Sequence, residues 1–140
     1  MKKKWLSHSA VETKKIGREL AGHLKAGDVV ALYGELGAGK TTLVKGIAIG
    51  LGVKSQAEVL SPTFTVIHEY KGRLTIYHLD WYRLKKVAGV DEALAGECFD
   101  SKGVTLVEWP ERGESLLPKS ALRVYVRHRG PTTRLVEIVS

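Results

Sequence analysis

The sequence predicts an α/β fold: a central sheet with flanking helices and added antiparallel hairpins. Three observations carry this. Asp28–Tyr33 (DVVALY) is a short apolar run rich in β-branched residues, the pattern of a buried central strand, and Val104–Val107 is a second such run. Between them, a glycine-rich stretch (Gly34–Thr42) leads out of the first run into Leu43–Leu51, which reads as a helix stopped by Gly52. The C-terminal region alternates Leu122, Val124 and Val126 with Arg123, Tyr125 and Arg127, turns at Gly130-Pro131 and returns over Arg134–Val139. Strand, helix and strand again around buried apolar runs make the class α/β.

The remaining elements follow in chain order. Residues 5–8 suit a short edge strand. Ser9 with Glu12 fits a capping box, after which Ile16, Leu20 and Leu24 recur at four-residue spacing. This predicts an amphipathic helix of about four turns, ending at Gly27. Thr65–Tyr70 and Leu74–Leu79 read as two strands joined by Lys71-Gly72-Arg73, a hairpin. Residues 84–102 are acidic and mixed, a short helix with loops. No repeat, long linker or low-complexity segment interrupts the chain.

With 140 residues, the chain has room for one domain, taken as 1–140. A chain of this size buries roughly two-thirds of its unfolded surface, so a core forms without metal or disulfide staples. A single cysteine, Cys98, excludes an internal disulfide framework and a cysteine-ligated zinc site; its expected place is a small buried hydrophobe. The five histidines show no close metal spacing and read as surface or structural residues. Met1-Lys2-Lys3-Lys4 resembles the start of a signal peptide, but Ser7, His8, Ser9, Glu12 and Thr13 break any apolar run. No stretch approaches the ~20 apolar residues of a membrane span. A cytoplasmic location and no membrane partner are the expectation.

The net charge of +7 is concentrated at the two ends, +5 over residues 1–25 and +4 over 119–140, with −2 between. A basic balance invites nucleic acid as partner. Without aromatic interleaving, a solvated surface is the favoured reading. The chain has no Asn, one Gln and only the initiator Met, a depletion of thermolabile residues seen in heat-adapted proteins.

Gly34-Glu35-Leu36-Gly37-Ala38-Gly39-Lys40-Thr41 fits G-x-x-x-x-G-K-[ST], the Walker A pattern. Its glycines let the backbone wrap with successive N–H groups pointing inward at phosphate oxygens, and the following helix aims its positive end at the same place. Lys40 supplies a point charge for the β- and γ-phosphates, and Thr41 offers a hydroxyl to Mg²⁺. The motif lies after a predicted strand and before a predicted helix, the context its mechanics require. The fold expectation thereby narrows to a single compact P-loop NTPase-like domain. Without Asn, the N-K-x-D motif that reads guanine is impossible, so ATP is the default nucleotide. Gln56 is the sole glutamine, which disfavours a Ras-type water-orienting Gln.

P-loop enzymes need an acid at a neighbouring strand end to hold Mg²⁺ or its water shell. Asp80 follows Leu74–Leu79 and Glu108 follows Val104–Val107; either suits the role, and either is equally readable as a helix cap or surface acid. Ser61-Pro62-Thr63-Phe64-Thr65 is a hydroxyl-bearing loop able to order around a γ-phosphate, or else a proline turn opening a strand.

G-E-L-G-A-G-K-T-T, S-P-T-F-T, H-L-D-W-Y-R-L and V-E-W-P-E, in this order across residues 34–111, resemble the TsaE (YjeE) family of bacterial P-loop ATPases. The capped first helix and terminal hairpin match as well, so the resemblance covers nearly the whole chain. It implies a role in forming N6-threonylcarbamoyladenosine on tRNAs beside the anticodon, as an ATPase working with the TsaB–TsaD pair, with tRNA met indirectly through that complex. It implies Leu36, Gly37, Ala38, Gly39, Lys40, Thr41 and Thr42 as the phosphate cradle, and ATP with Mg²⁺ as ligands. Thr41 becomes a metal ligand, Asp80 and Glu108 the acids near metal and γ-phosphate, and Thr63 a switch-like threonine. Trp109 lies near the nucleotide in this comparison, with core packing as the plain alternative. Ala10–Thr13 and the hairpin around Arg134 approach the adenine side. Lys85-Lys86-Val87-Ala88-Gly89 departs from a usually more acidic, helical stretch. The rivals are a small-molecule kinase, for which the chain has little length to spare as lid and acceptor pocket, and a nucleotide-gated tRNA-binding module.

Overall fold

The computed structural model describes residues 2–35, 37–54 and 67–140. Among these residues seven strands form one sheet: β1 (Lys2–Ser7), β2 (Val29–Tyr33), β3 (Ile67–Tyr70), β4 (Ile76–Asp80), β5 (Val104–Glu108), β6 (Leu122–His128) and β7 (Arg134–Val139). Their order across the sheet is β1-β7-β6-β2-β5-β4-β3. The middle is parallel, with β2 between β5 and β6, and β4 beyond β5. Antiparallel pairs flank it: β6 with β7 and β7 with β1 on one side, β3 with β4 on the other. The strands expected to be most apolar, β2 and β5, therefore take the positions buried on both faces.

Among the described residues, three helices and a 3₁₀ segment cover the sheet: α1 (Ala10–Ala21), α2 (Lys40–Gly50), α3 (Val90–Phe99) and Pro110–Leu116. On one face Ile16 and Leu20 of α1 and Leu43, Val44 and Ile47 of α2 pack on Val30, Leu32, Leu106, Val124 and Ile138. On the other, Ala95 and Cys98 of α3 join Trp81, Val87 and Leu117 against Ala31, Leu79 and Val107. Cys98 is buried, as expected. Among the described residues, no helix is long and apolar enough to cross a membrane.

Helix α1 starts where the capping box places it: the Ser9 hydroxyl accepts from the Glu12 N–H at 3.1 Å, and the Glu12 carboxylate accepts from the His8 N–H. It ends at Ala21, well before Gly27. Gly22 caps it, and two further turn bonds, His23 N–H to Leu20 and Leu24 N–H to Ala21, let Leu24 reach the core without continuing the helix. Gly27 instead donates to the Gly103 carbonyl at 2.8 Å, tying the loop to the start of β5. Helix α2 begins at Lys40, three residues ahead of the apolar run, because the glycine-rich turn feeds straight into its first turn. The two tail strands and the Lys71–Arg73 hairpin form as expected, and β1 extends back to Lys2.

Candidate functional site

The C-terminal ends of β2, β4 and β5 and the N-terminus of α2 meet at one place, where β4 brings Asp80, β5 Glu108 and α2 Lys40. Gly39 caps α2 with φ 101°, a left-handed conformation that an L side chain rarely adopts. This turns the chain so that Lys40 enters the helix at its first position. Gly34, leaving β2, lies so close to β6 that an added Cβ would stand 2.8 Å from the Val126 carbonyl oxygen. The loop is also held from outside. Arg134, first residue of β7, donates to the carbonyl of Ala38 (2.9 Å) and, at 3.4 Å, to that of Gly37, while its other nitrogen holds Gly130 and Thr133.

Lys40 is only 5% exposed, and its Nζ makes no hydrogen bond. The ammonium faces the Trp109 indole, 4.1 Å from the ring centroid. Burial holds its pKa below the usual lysine range, opposed by the charges of Glu108, Glu111 and Asp80. A buried ammonium at a helix N-terminus that meets an aromatic face but makes no hydrogen bond suits an anion, since a buried charge without hydrogen-bond partners is costly.

Asp80 and Glu108 end neighbouring parallel strands in register with one another. Asp80 accepts from the Tyr82 N–H at 2.9 Å, and burial, with Glu108 nearby, raises its pKa. Glu108 is almost fully buried and bonded to His78 Nε2 at 2.5 Å. His78, wholly buried, meets the Tyr70 hydroxyl with Nδ1 at 3.1 Å. A chain of polar contacts thus crosses β3, β4 and β5 to the candidate acid. The residue after Glu108, Trp109, has φ 57° and ψ 47° and packs at a tilt on Tyr82 with ring centroids 4.9 Å apart. On the outer side of Trp109, a cavity of about 440 Å³ is lined by Tyr33, Glu35, Glu111, Tyr125 and Arg127.

Most of the residues singled out from the sequence converge here. Gly37, Ala38, Gly39, Lys40, Thr41 and Thr42 form the loop and first helical turn, and Asp80, Glu108, Trp109 and Arg134 surround them. Leu36, Thr63 and the Ser61–Thr65 segment lie outside the described residues. The first turn of α1 lies at the same end as that of α2, because Gly17 packs beside Leu43 and Ala21 beside Gly50, in the same sense along both helices. Within that turn, however, Thr13 is committed to a hydroxyl pair with Ser7 at 2.7 Å. Among the described residues no cluster of three or more His, Cys, Asp or Glu forms a protein-only metal cage. Mg²⁺ does not require one: it takes one or two carboxylates together with waters and phosphate oxygens. The hard oxygens of Asp80, Glu108 and Thr41, beside an unpartnered ammonium, fit such a cation. His78 was missed as part of the site. Its signal was the strand period: two residues before Asp80, it shares that residue's face of β4.

Comparison with known proteins gives a family and a fold. The profile of a family described as "Threonylcarbamoyl adenosine biosynthesis protein TsaE" matches residues 7–136. A Treponema pallidum protein named tRNA threonylcarbamoyladenosine biosynthesis protein TsaE is 44% identical, the match covering 87% of this chain and 89% of the relative. A Bacillus subtilis protein of the same name is 42% identical over 94% of this chain and 81% of its own length. The crystal structure of Bacillus subtilis YdiB superposes with a TM-score of 0.79 at 38% identity, covering 99% of this chain and 84% of that one.

Proposed function

The chain belongs to the TsaE family, and from that premise we propose that it is a Mg²⁺-dependent ATPase serving N6-threonylcarbamoyladenosine formation on tRNAs beside the anticodon. In this reading residues 1–140 act as one cytoplasmic P-loop domain that works with the TsaB–TsaD pair and meets tRNA through that complex. The carrying observation is Lys40, whose buried Nζ has no hydrogen-bond partner at the N-terminus of α2.

The chemistry follows from the residues present. Lys40 and the N–H groups of the glycine-rich turn and of α2's first turn bind the β- and γ-phosphates through charge and backbone donors. Thr41, Asp80 and Glu108 hold the metal or its water shell. Bound Mg²⁺ neutralises charge on the phosphate oxygens. Of the two acids, the one not occupied with the metal orients the attacking water and takes its proton. Arg134 keeps the loop in shape by bonding the Ala38 and Gly37 carbonyls; the trans peptide turns the Gly39 N–H away from the Ala38 carbonyl, while the Ala38 N–H is held by the Glu35 carbonyl at 3.1 Å. Thr63 would complete the set as the γ-phosphate sensor.

Calorimetric titration with Mg·ATP tests the reading. The wild-type chain should bind, and Lys40→Ala should lose most of that affinity while melting as a folded protein. A folded Lys40→Ala chain with unchanged affinity would remove the nucleotide assignment.

A further inference from the structure

Lys40, its ammonium 4.1 Å from the centroid of the Trp109 ring, and Glu108, the residue just before Trp109, are opposite charges in one buried site. Two such groups in a low-dielectric pocket attract strongly. Yet the Lys40 ammonium makes no hydrogen bond at all, while the Glu108 carboxylate is bonded to His78 at 2.5 Å. We propose that His78 is a positioning residue that holds Glu108 away from Lys40, so that the lysine stays free for phosphate and the carboxylate for the metal. The inference rests on reading the site as one for Mg·ATP.

The local chemistry supports the role. The bond runs between His78 Nε2 and Glu108 Oε2, which engages one oxygen of the carboxylate. The Tyr70 hydroxyl, able to donate or accept, meets the opposite nitrogen at 3.1 Å, so the imidazole is engaged at both ends. His78 has no exposure and Tyr70 only 4%, so the imidazole cannot swing out to water. Both residues sit on a hairpin, β3 with β4, in direct register at Tyr70–Ile76 and His68–His78, which makes their spacing a property of the sheet. Groups that orient ligating carboxylates in this way commonly matter by 10–100-fold in affinity or activity.

Without this bond Glu108 would close an ion pair with Lys40, and nucleotide would have to break the pair before binding. If only a tenth to a hundredth of molecules remained open, apparent affinity would fall by roughly 10–100-fold. The loss would appear without any metal, which separates it from damage to a metal site.

The test is a double-mutant cycle on the full chain, read as affinity for ADP in the absence of Mg²⁺, with thermal melting to confirm folding. His78→Leu should weaken ADP binding by roughly 10–100-fold, and His78→Gln, which restores a donor, should recover most of it. In a Glu108→Gln background, where the one charge that His78 restrains is gone, His78→Leu should have no further effect. Should His78→Leu fail to fold, Tyr70→Phe carries the same cycle, with a smaller loss that again vanishes beside Glu108→Gln. A folded His78→Leu chain binding as tightly as wild type, or losing as much in the Glu108→Gln background, would overturn the inference alone. A wild-type chain that binds no adenine nucleotide would overturn the functional reading, and this inference with it.

Discussion

Trp109 adopts a left-handed backbone, φ 57°, that a bulky residue holds only when its surroundings enforce it, at a cost on the order of 1–3 kcal/mol. The enforcing contacts are visible: its indole lies over the Lys40 ammonium and against Tyr82. An anion arriving at Lys40 competes for the same charge, so Trp109 should report it. Emission from a variant retaining Trp109 as its sole tryptophan should change on addition of Mg·ATP; a flat titration with binding confirmed calorimetrically would place the indole outside the response. The acids are tested differently. Asp80→Asn and Glu108→Gln should each lower turnover more than nucleotide affinity, the pattern of a lost transition-state interaction. Two variants with wild-type turnover would return both acids to a structural role. At this scale the sequence was most legible where chemistry demands local spacing. Gly39, Lys40 and Thr41 are recognisable because a phosphate cradle is built from consecutive residues, and Asp80 and Glu108 because each follows an apolar run. The bond from His78 to Glu108 joins positions thirty residues apart and depends on the register of two strands, which composition and periodicity do not specify.

At the level of elements, the site depends on how closely α1 and α2 approach. A Cβ added at Gly46 would stand 2.2 Å from the Lys14 carbonyl oxygen, and one at Gly17 would stand 2.5 Å from that of Leu43. Backbone cannot yield as a flexible side chain can, so the helices would have to separate. Gly46→Ala should therefore destabilise the fold by about 1–3 kcal/mol despite its better helix propensity, measured by chemical denaturation. An unchanged or raised midpoint would refute the close-packing account. The edge strand β1 is fastened to α1 by Glu19, which accepts from Trp5 Nε1 at 2.7 Å and from Lys3 Nζ at 3.0 Å. These bonds lower the Glu19 pKa, so their support is present above the usual glutamate range and lost as pH falls through the lowered value. Amide exchange on β1 should accelerate in acid relative to exchange on β2, and Glu19→Gln should remove that difference in pH response. The exposed position keeps the global effect small. Capping residues made the start of α1 readable, since Ser9 and Glu12 bond the backbone next to them. Its end was not readable from apolar spacing: Leu24 keeps the period and the burial, but belongs to a turn.

The whole molecule gathers its two basic ends at one side of the sheet, because β1 pairs with β7 and β7 with β6. The candidate site opens elsewhere, where β2, β4 and β5 end beside α2, and what it lacks decides how it should behave. Phosphoryl transfer is fast only when the attacking water is positioned and the developing charge is surrounded by fixed donors. Among the described residues, the site has a cradle, a buried lysine and two acids. Arg134 is committed to the carbonyls of Gly37, Ala38, Gly130 and Thr133. Its guanidinium is thereby held to the loop rather than over a transferring phosphate. Beside Trp109 the surface remains concave, with the cavity bounded by Tyr33, Tyr125 and Arg127 available to a docking partner. Hydrolysis by the isolated chain should accordingly be slow, and the TsaB–TsaD pair should accelerate it by covering the nucleotide face. An arginine supplied in trans is worth ~10³–10⁵ in GTPases, whereas ordering a loop and excluding water gives a smaller gain of the same sign. Steady-state phosphate release with and without a saturating partner pair measures the effect, and Lys40→Ala provides the baseline. An isolated chain already turning over rapidly, and indifferent to the pair, would show that the residues on this chain complete the site unaided.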